Sequence, residues 1–90
     1  MRWWWSPARE VLIAADPDVA LLSTAAALRR LGARITRYDS EAGTLEARVA
    51  PAARVRVRTI PVADGATTVR LEGDGAARRV LRRFRAALGA

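Results

Sequence analysis

The sequence predicts an α+β domain in which an antiparallel sheet of about five strands carries two helices on one face, in the order β-α-β-β-β-β-α. Two segments repeat apolar residues at three- and four-residue spacing, as amphipathic helices do. Between them, four short segments favour strands, most of them by alternating apolar and polar residues, and are separated by turn or loop signals. Because turns this short join neighbouring strands as hairpins, these four strands are expected to form an antiparallel meander.

A capping signal separates the first strand from the first helix. Residues 11–15 form a short apolar run that predicts a buried strand, with Arg9 and Glu10 as its polar entrance. Asp16 is a favourable N-cap and Pro17 suits the first helical position. The apolar stripe that predicts the helix comprises Leu21, Leu22, Ala25, Leu28 and Leu31.

The second and third strands are predicted on either side of a glycine turn. In residues 33–39, Ile35 and Tyr38 have opposite parity, which indicates a bulge or an environment with two apolar sides. Gly43 supplies the conformational freedom that the following turn requires. Residues 44–49 then alternate cleanly and predict a strand with one buried face.

The fourth strand has the sharpest alternation in the chain. Residues 54–58 alternate arginine with valine. Ile60 and Val62 share the parity of the arginines, which indicates a change of face near Thr59, or a bulge. Asp64-Gly65 is a strong hairpin signal, so a fifth strand is expected to follow and pair with the fourth.

The second helix is predicted after Gly73, which ends the last strand, with Asp74 as its cap and Gly89 as its end. Its apolar stripe comprises Ala77, Val80, Leu81, Phe84 and Leu88. Its remaining surface is basic and comprises Arg78, Arg79, Arg82, Arg83 and Arg85.

Length and composition predict one domain over residues 1–90, with a tryptophan-rich extension at 1–8 and a folded core at 9–88. The chain has no cysteine and no histidine. These absences exclude thiolate nucleophiles, disulfides and the commonest general base and metal ligand. We therefore expect no catalytic residue, no metal site, no cofactor and no evident small-molecule substrate.

Two carboxylate pairs and one glycine motif have simpler explanations than catalysis. Asp16 with Asp18 and Asp39 with Glu41 lie where helix caps and turns select acidic residues for local hydrogen bonds. The segment at residues 73–78 begins like a dinucleotide-binding fingerprint, but arginine stands at its third glycine position and no strand follows. A turn followed by a helix cap accounts for it.

The positive charge of the chain is carried by arginine alone. The formal net charge is +7, and all 16 basic residues are arginines. GC-rich codon usage and an anion-binding surface both explain this composition, because arginine forms forked contacts with phosphate and carboxylate. Five arginines share the outward parity of the strands against Glu46 and Glu72, which predicts an uncompensated basic strip: Arg48, Arg54, Arg56, Arg58 and Arg70. The candidate anion-binding residues are Arg54, Arg56, Arg58, Arg78 and Arg82.

Trp3, Trp4 and Trp5 form an unusual cluster before the first strand. They are expected to pack within the molecule or to form a self-association interface, since tryptophan is enriched at interface hot spots. No apolar segment is long enough to span a membrane. The apolar run at the start of the sequence is too short to predict a signal peptide. A cytoplasmic location is therefore expected.

The element order is similar to the TBP-like "helix-grip" arrangement of small bacterial domains. The signals that carry this resemblance are Leu31-Gly32, Asp39 and Gly43-Thr44-Leu45, followed by an alternating strand. The domains of the outer-membrane assembly lipoprotein BamC have the same general shape, although this sequence contains no lipobox cysteine and a signal peptide is not expected. The resemblance implies a fold and assigns no functional residue.

Two functions are compatible with these patterns. The first is a non-enzymatic scaffold or protein-interaction domain, able to form a homo-oligomer through the tryptophans or a sheet edge. The alternative is a domain that binds polyanions such as the nucleic acid backbone through an arginine-rich sheet face and the C-terminal helix.

Overall fold

A computed structural model describes residues 8–49, 53–73 and 77–88. Its elements in chain order are β1 (Ala8–Ile13), α1 (Pro17–Arg30), β2 (Arg34–Asp39), β3 (Thr44–Val49), β4 (Ala53–Ala63), β5 (Ala66–Gly73) and α2 (Arg78–Leu88). The α+β class and the order β-α-β-β-β-β-α are confirmed.

The five strands form one antiparallel sheet in the order β1-β5-β4-β3-β2. Among the described residues, β1 pairs with β5 alone and lies at an edge of the sheet, so the expectation of a buried first strand is wrong. Arg9 and Glu10 lie within β1 rather than before it, and the Leu12 side chain is 66% exposed. An edge strand has a neighbour on one side only, and in the described part of the chain both helices lie on the same face of the sheet.

The core lies between the sheet and the two helices. The largest fully buried side chains come from both layers and include Leu21, Leu28, Leu45, Val55, Val69, Leu71 and Phe84. We call the side of the sheet opposite the two described helices the outer sheet face.

Strand β4 keeps its alternation further than the sequence suggested. Thr59 is buried on the helix side, and Ile60 remains on the outer sheet face with a 38% exposed side chain. The predicted change of face near Thr59 is therefore wrong, and the alternative of a bulge is confirmed, because the register shifts between Pro61 and Ala63. The bulge predicted in the second strand is also confirmed, between Ile35 and Arg37.

The buried stripe of α1 includes the predicted Leu21, Ala25 and Leu28 but differs from the prediction elsewhere. Leu22 is 61% exposed, whereas the smaller side chains of Ala20, Thr24 and Ala27 are buried. Thr24 can be buried because its hydroxyl donates a hydrogen bond to the Ala20 carbonyl oxygen at 2.8 Å. Small side chains on this face let α1 pack closely against its neighbours.

One end of the sheet holds the β1–α1 loop and the β4–β5 hairpin together. Asp16 occupies the N-cap position of α1 without capping it through its side chain. Its Oδ1 instead accepts a hydrogen bond from the Gly65 backbone N–H at 3.3 Å. Thr67, buried in β5, donates from its hydroxyl to the Ala15 carbonyl oxygen at 2.7 Å. The two-residue hairpin predicted at Asp64-Gly65 is confirmed, since Ala63 pairs with Ala66.

Helix α2 lies across the other end of the sheet. It begins close to Gly73, the last residue of β5, where an added Cβ would stand 2.7 Å from the Ala77 Cβ. Its last turn is held by the last turn of α1, because Arg30 donates from Nη1 to the Ala87 carbonyl oxygen at 2.8 Å. Both ends of α2 are thus fixed at the end of the sheet where β5 and α1 finish. The caps predicted at Asp74 and Gly89 lie outside the described residues.

Candidate functional site

Strand register arranges the charged side chains of the outer sheet face in rows that cross the strands. The first row comprises Asp39, Thr44, Arg58, Arg70 and Glu10, from β2 to β1. The second row comprises Arg37, Glu46, Arg56 and Glu72. The third row comprises Arg34, Arg48 and Arg54. Side chains directly opposite each other on neighbouring strands have Cβ atoms about 4.5–5.5 Å apart.

Arg70 is the best-compensated cation of the first row. Its Nη1 lies 3.3 Å from Glu10 Oε2 and its Nη2 lies 3.4 Å from Glu72 Oε2. The two carboxylates come from the strand beside it and from its own strand, so the guanidinium is held on two sides. The pairs are about half exposed and contribute at most about 1 kcal/mol each to stability.

The first and second rows together hold equal numbers of positive and negative side chains. This corrects the prediction of an uncompensated strip for Arg56, Arg58 and Arg70, whereas Arg48 and Arg54 lie in the third row. Pairing of β1 with β5 adds Glu10 to the face, and pairing of β2 with β3 adds Arg37 and Asp39. The two rows then hold four arginines and four carboxylates: Arg37, Arg56, Arg58, Arg70, Glu10, Asp39, Glu46 and Glu72.

The third row begins a different region of the molecule. It lies at the same end of the sheet as the last turn of α1, which carries Arg29 and Arg30, and as both ends of α2. The described residues of α2 include five exposed arginines and no carboxylate. We call this region the basic end; it comprises Arg29, Arg30, Arg34, Arg48, Arg54, Arg78, Arg79, Arg82, Arg83 and Arg85. Within the described part of the chain, no carboxylate belongs to it.

The opposite end of the sheet is acidic. Three connections meet there, namely the β1–α1 loop, the β2–β3 turn and the β4–β5 hairpin. They and the first turn of α1 carry Asp16, Asp18, Glu41 and Asp64. Charge is therefore separated along the strand direction, with a balanced region between two ends of opposite sign.

This layout divides the predicted anion-binding residues into two groups. Arg54, Arg78 and Arg82 belong to the basic end, whereas Arg56 and Arg58 lie in the balanced middle of the outer sheet face. Trp3, Trp4 and Trp5 lie outside the described residues.

Sequence reasoning missed Arg29, Arg30 and Arg34 as members of a common surface. They stand at the end of α1 and the start of β2, in two different elements. The available signal was the direction of the elements: because α1 ends where β2 begins, the three arginines lie at the same end of the domain.

Neither a metal centre nor a membrane span is evident in the part of the chain that the structure describes. Its acidic residues form no group of three or more placed to hold a metal ion. Neither described helix has the length and apolar content needed to cross a bilayer.

Comparison with known proteins identifies the fold alone. No protein-family model matches the chain, and no similar protein was found among curated proteins. A protein from Thermobifida fusca, whose solution NMR structure was determined by a structural genomics consortium, is similar with a TM-score of 0.57 and 16% sequence identity. The match covers 87% of this chain and 80% of the other. The resemblance to TBP-like and BamC-like domains stays a prediction.

Proposed function

We propose that the domain is a non-enzymatic binding module whose basic end binds a polyanion, with the phosphate backbone of nucleic acid as the ligand. The observation that supports this most is the separation of charge along the strands, which concentrates ten arginines at one end of a domain of 90 residues. Guanidinium groups form forked hydrogen bonds with phosphate oxygens, and such contacts account for most of the affinity of backbone binding.

The aromatic residues of the described chain argue for binding without sequence preference. Base stacking on an exposed ring is how single-stranded nucleic acid is read. Phe84 is fully buried, and Tyr38 lies in the last part of β2, towards the acidic end. The described part of the basic end therefore offers charge and hydrogen-bond donors without a stacking platform, and we expect contacts to phosphates rather than to bases.

Fluorescence anisotropy with a labelled 20-base-pair duplex tests the proposal. The parent should bind, and the logarithm of its affinity should fall with the logarithm of salt concentration with a slope of about 0.9 per phosphate contact. Arg82→Glu should weaken binding and lower that slope by about one contact. Arg56→Glu is the matched control, because it makes the same charge change in the balanced region and should have a much smaller effect.

Two results would contradict the proposal. One is the absence of binding at about 0.1 M salt, where electrostatic contacts of this number should still be effective. The other is an equal loss of affinity in Arg82→Glu and Arg56→Glu, which would mean that only the total charge matters.

Self-association through β1 is a second candidate function, because one sheet edge is less protected than the other. Natural edge strands are blunted by charges, prolines or bulges. β2 has a bulge between Ile35 and Arg37, whereas the second half of β1 is uncharged, in regular register with β5 and carries the exposed Leu12. A second copy could extend the sheet there by antiparallel pairing.

Light scattering coupled to size exclusion tests this candidate. The parent should have the mass of a dimer, and Leu12→Arg should have the mass of a monomer. Leu22→Arg is the matched control, since Leu22 is similarly exposed but lies on α1, and it should leave the dimer intact. A monomeric parent would rule the candidate out.

A further inference from the structure

A depression on the outer sheet face lies away from the basic end. Its volume is about 560 Å³, and it is lined by the first two rows without Glu10, together with Leu45, Val57 and Ile60. This volume is in the range of small-molecule sites, about 300–1,000 Å³. The depression is formed by strands rather than by loops, so its side chains are positioned by the register of the sheet.

Four arginines line this depression, and three of them, Arg37, Arg56 and Arg58, have no ion pair within the described chain. Arg58 lies directly opposite Arg70 across the β4–β5 pair. The two carboxylates on that side, Glu10 and Glu72, form ion pairs with Arg70 and not with Arg58. Like charges directly opposite each other on a sheet destabilise it. Arg58 has Thr44 on its other side, which carries no charge to balance it. Arg56, two residues earlier on β4, forms no ion pair within 4.0 Å with any described carboxylate.

We propose that Arg56 and Arg58 bind the carboxylate of a small organic acid in this depression, with the Thr44 hydroxyl as an additional donor. An anion at this position would separate Arg58 from Arg70 and supply the negative charge that the first row lacks beside Arg58. Side chains two residues apart on one strand lie about 6.6 Å apart at their Cα atoms, so two guanidinium groups can approach one carboxylate.

The other lining residues define the chemical class of the ligand. Asp39, Glu46 and Glu72 belong to the same depression and would repel a second negative charge. The partly exposed Ile60 provides an apolar wall beside Arg58. A monocarboxylate with an apolar body fits this combination better than a phosphate or a polyanion, so the site is independent of the polyanion binding proposed above.

Titration with benzoate, followed by 15N-resolved NMR of the backbone amides, tests the proposal. Saturable shifts are expected at Thr44, Arg58 and Ile60, and benzamide, which has the same body without the charge, should not produce them. Arg58→Gln should weaken benzoate binding by about tenfold or more, as expected for a lost charge-assisted hydrogen bond. Arg48→Gln is the matched control on the same face, outside the depression, and should bind benzoate as the parent does.

Three results would overturn the proposal. They are equal binding of benzoate and benzamide, unchanged benzoate affinity in Arg58→Gln, and tighter binding of inorganic phosphate than of benzoate at the same residues. The spectra of Arg58→Gln and Arg48→Gln also show directly whether each variant is folded, so a loss of binding by unfolding is recognised.

Discussion

Thr59 donates two hydrogen bonds to the carbonyl oxygen of Gly43, one from its backbone N–H and one from its hydroxyl, each 2.8 Å long. The β2–β3 turn is thereby fastened to the middle of β4. Gly43 has a φ of +71°, and a Cβ added there would collide with the Thr59 hydroxyl. Glycine is therefore required at this position for two reasons: the backbone has a positive φ, and the Thr59 hydroxyl leaves no room for a Cβ.

Gly43→Ala should lower the free energy of unfolding by more than the strain of a left-handed backbone alone. That strain costs about 1–2 kcal/mol, and the collision with Thr59 should add about 1 kcal/mol or more, as overpacking does. Gly65→Ala is the control, because Gly65 has the same φ of +71° but no atom within 4 Å of its added Cβ. Urea unfolding measures both. Equal losses in the two variants would show that the Thr59 contact has no effect, and Thr59→Ala should reduce the cost of Gly43→Ala to that of Gly65→Ala.

Gly73→Ala should destabilise the domain by about 1–3 kcal/mol through overpacking. The added Cβ would stand 2.7 Å from the Ala77 Cβ and 3.3 Å from Leu81 Cδ1, where α2 begins against the sheet. Combining it with Ala77→Gly removes the nearer atom, so the double variant should be more stable than the sum of the two single losses predicts. If the double variant loses as much stability as the two single variants together, in thermal or urea unfolding, the close packing of residue 73 against Ala77 is contradicted.

Leu21→Ala and Leu22→Ala should differ sharply in stability although the residues are adjacent. Leu21 is fully buried, so its truncation leaves a cavity and should cost about 2–5 kcal/mol. Leu22 is exposed, and its truncation should change stability by no more than about 0.5 kcal/mol. Similar losses from urea unfolding would mean that α1 is rotated from the orientation described.

Local signals were sufficient for most of the fold. The hairpin at Asp64-Gly65, the turn at Gly43 and the start of α1 at Pro17 each follow from backbone preferences of a few neighbouring residues. Leu22 was wrongly predicted to be buried because the spacing of large apolar residues gives alanine and threonine too little weight. In the folded domain, Ala20 and Thr24 are buried and Leu22 is exposed.

The charge layout could not be predicted in the same way because it depends on long-range pairing. Glu10 and Arg70 are 60 residues apart in sequence and meet only because β1 pairs with β5. No hairpin signal specifies that pairing, and without it the middle of the outer sheet face appears basic. The basic end has the same origin, since α2 and the last turn of α1 meet only in the folded domain.

The most direct test measures the chemical-shift changes of the backbone amides when a DNA duplex is added. These changes show whether the basic end binds the duplex. At about 0.1 M salt, shifts should concentrate in α2, in the last turn of α1 and around Arg48 and Arg34, and should disappear as salt is raised. Shifts around Asp16 and Asp64, or shifts confined to the balanced rows of the sheet, would contradict binding at the basic end.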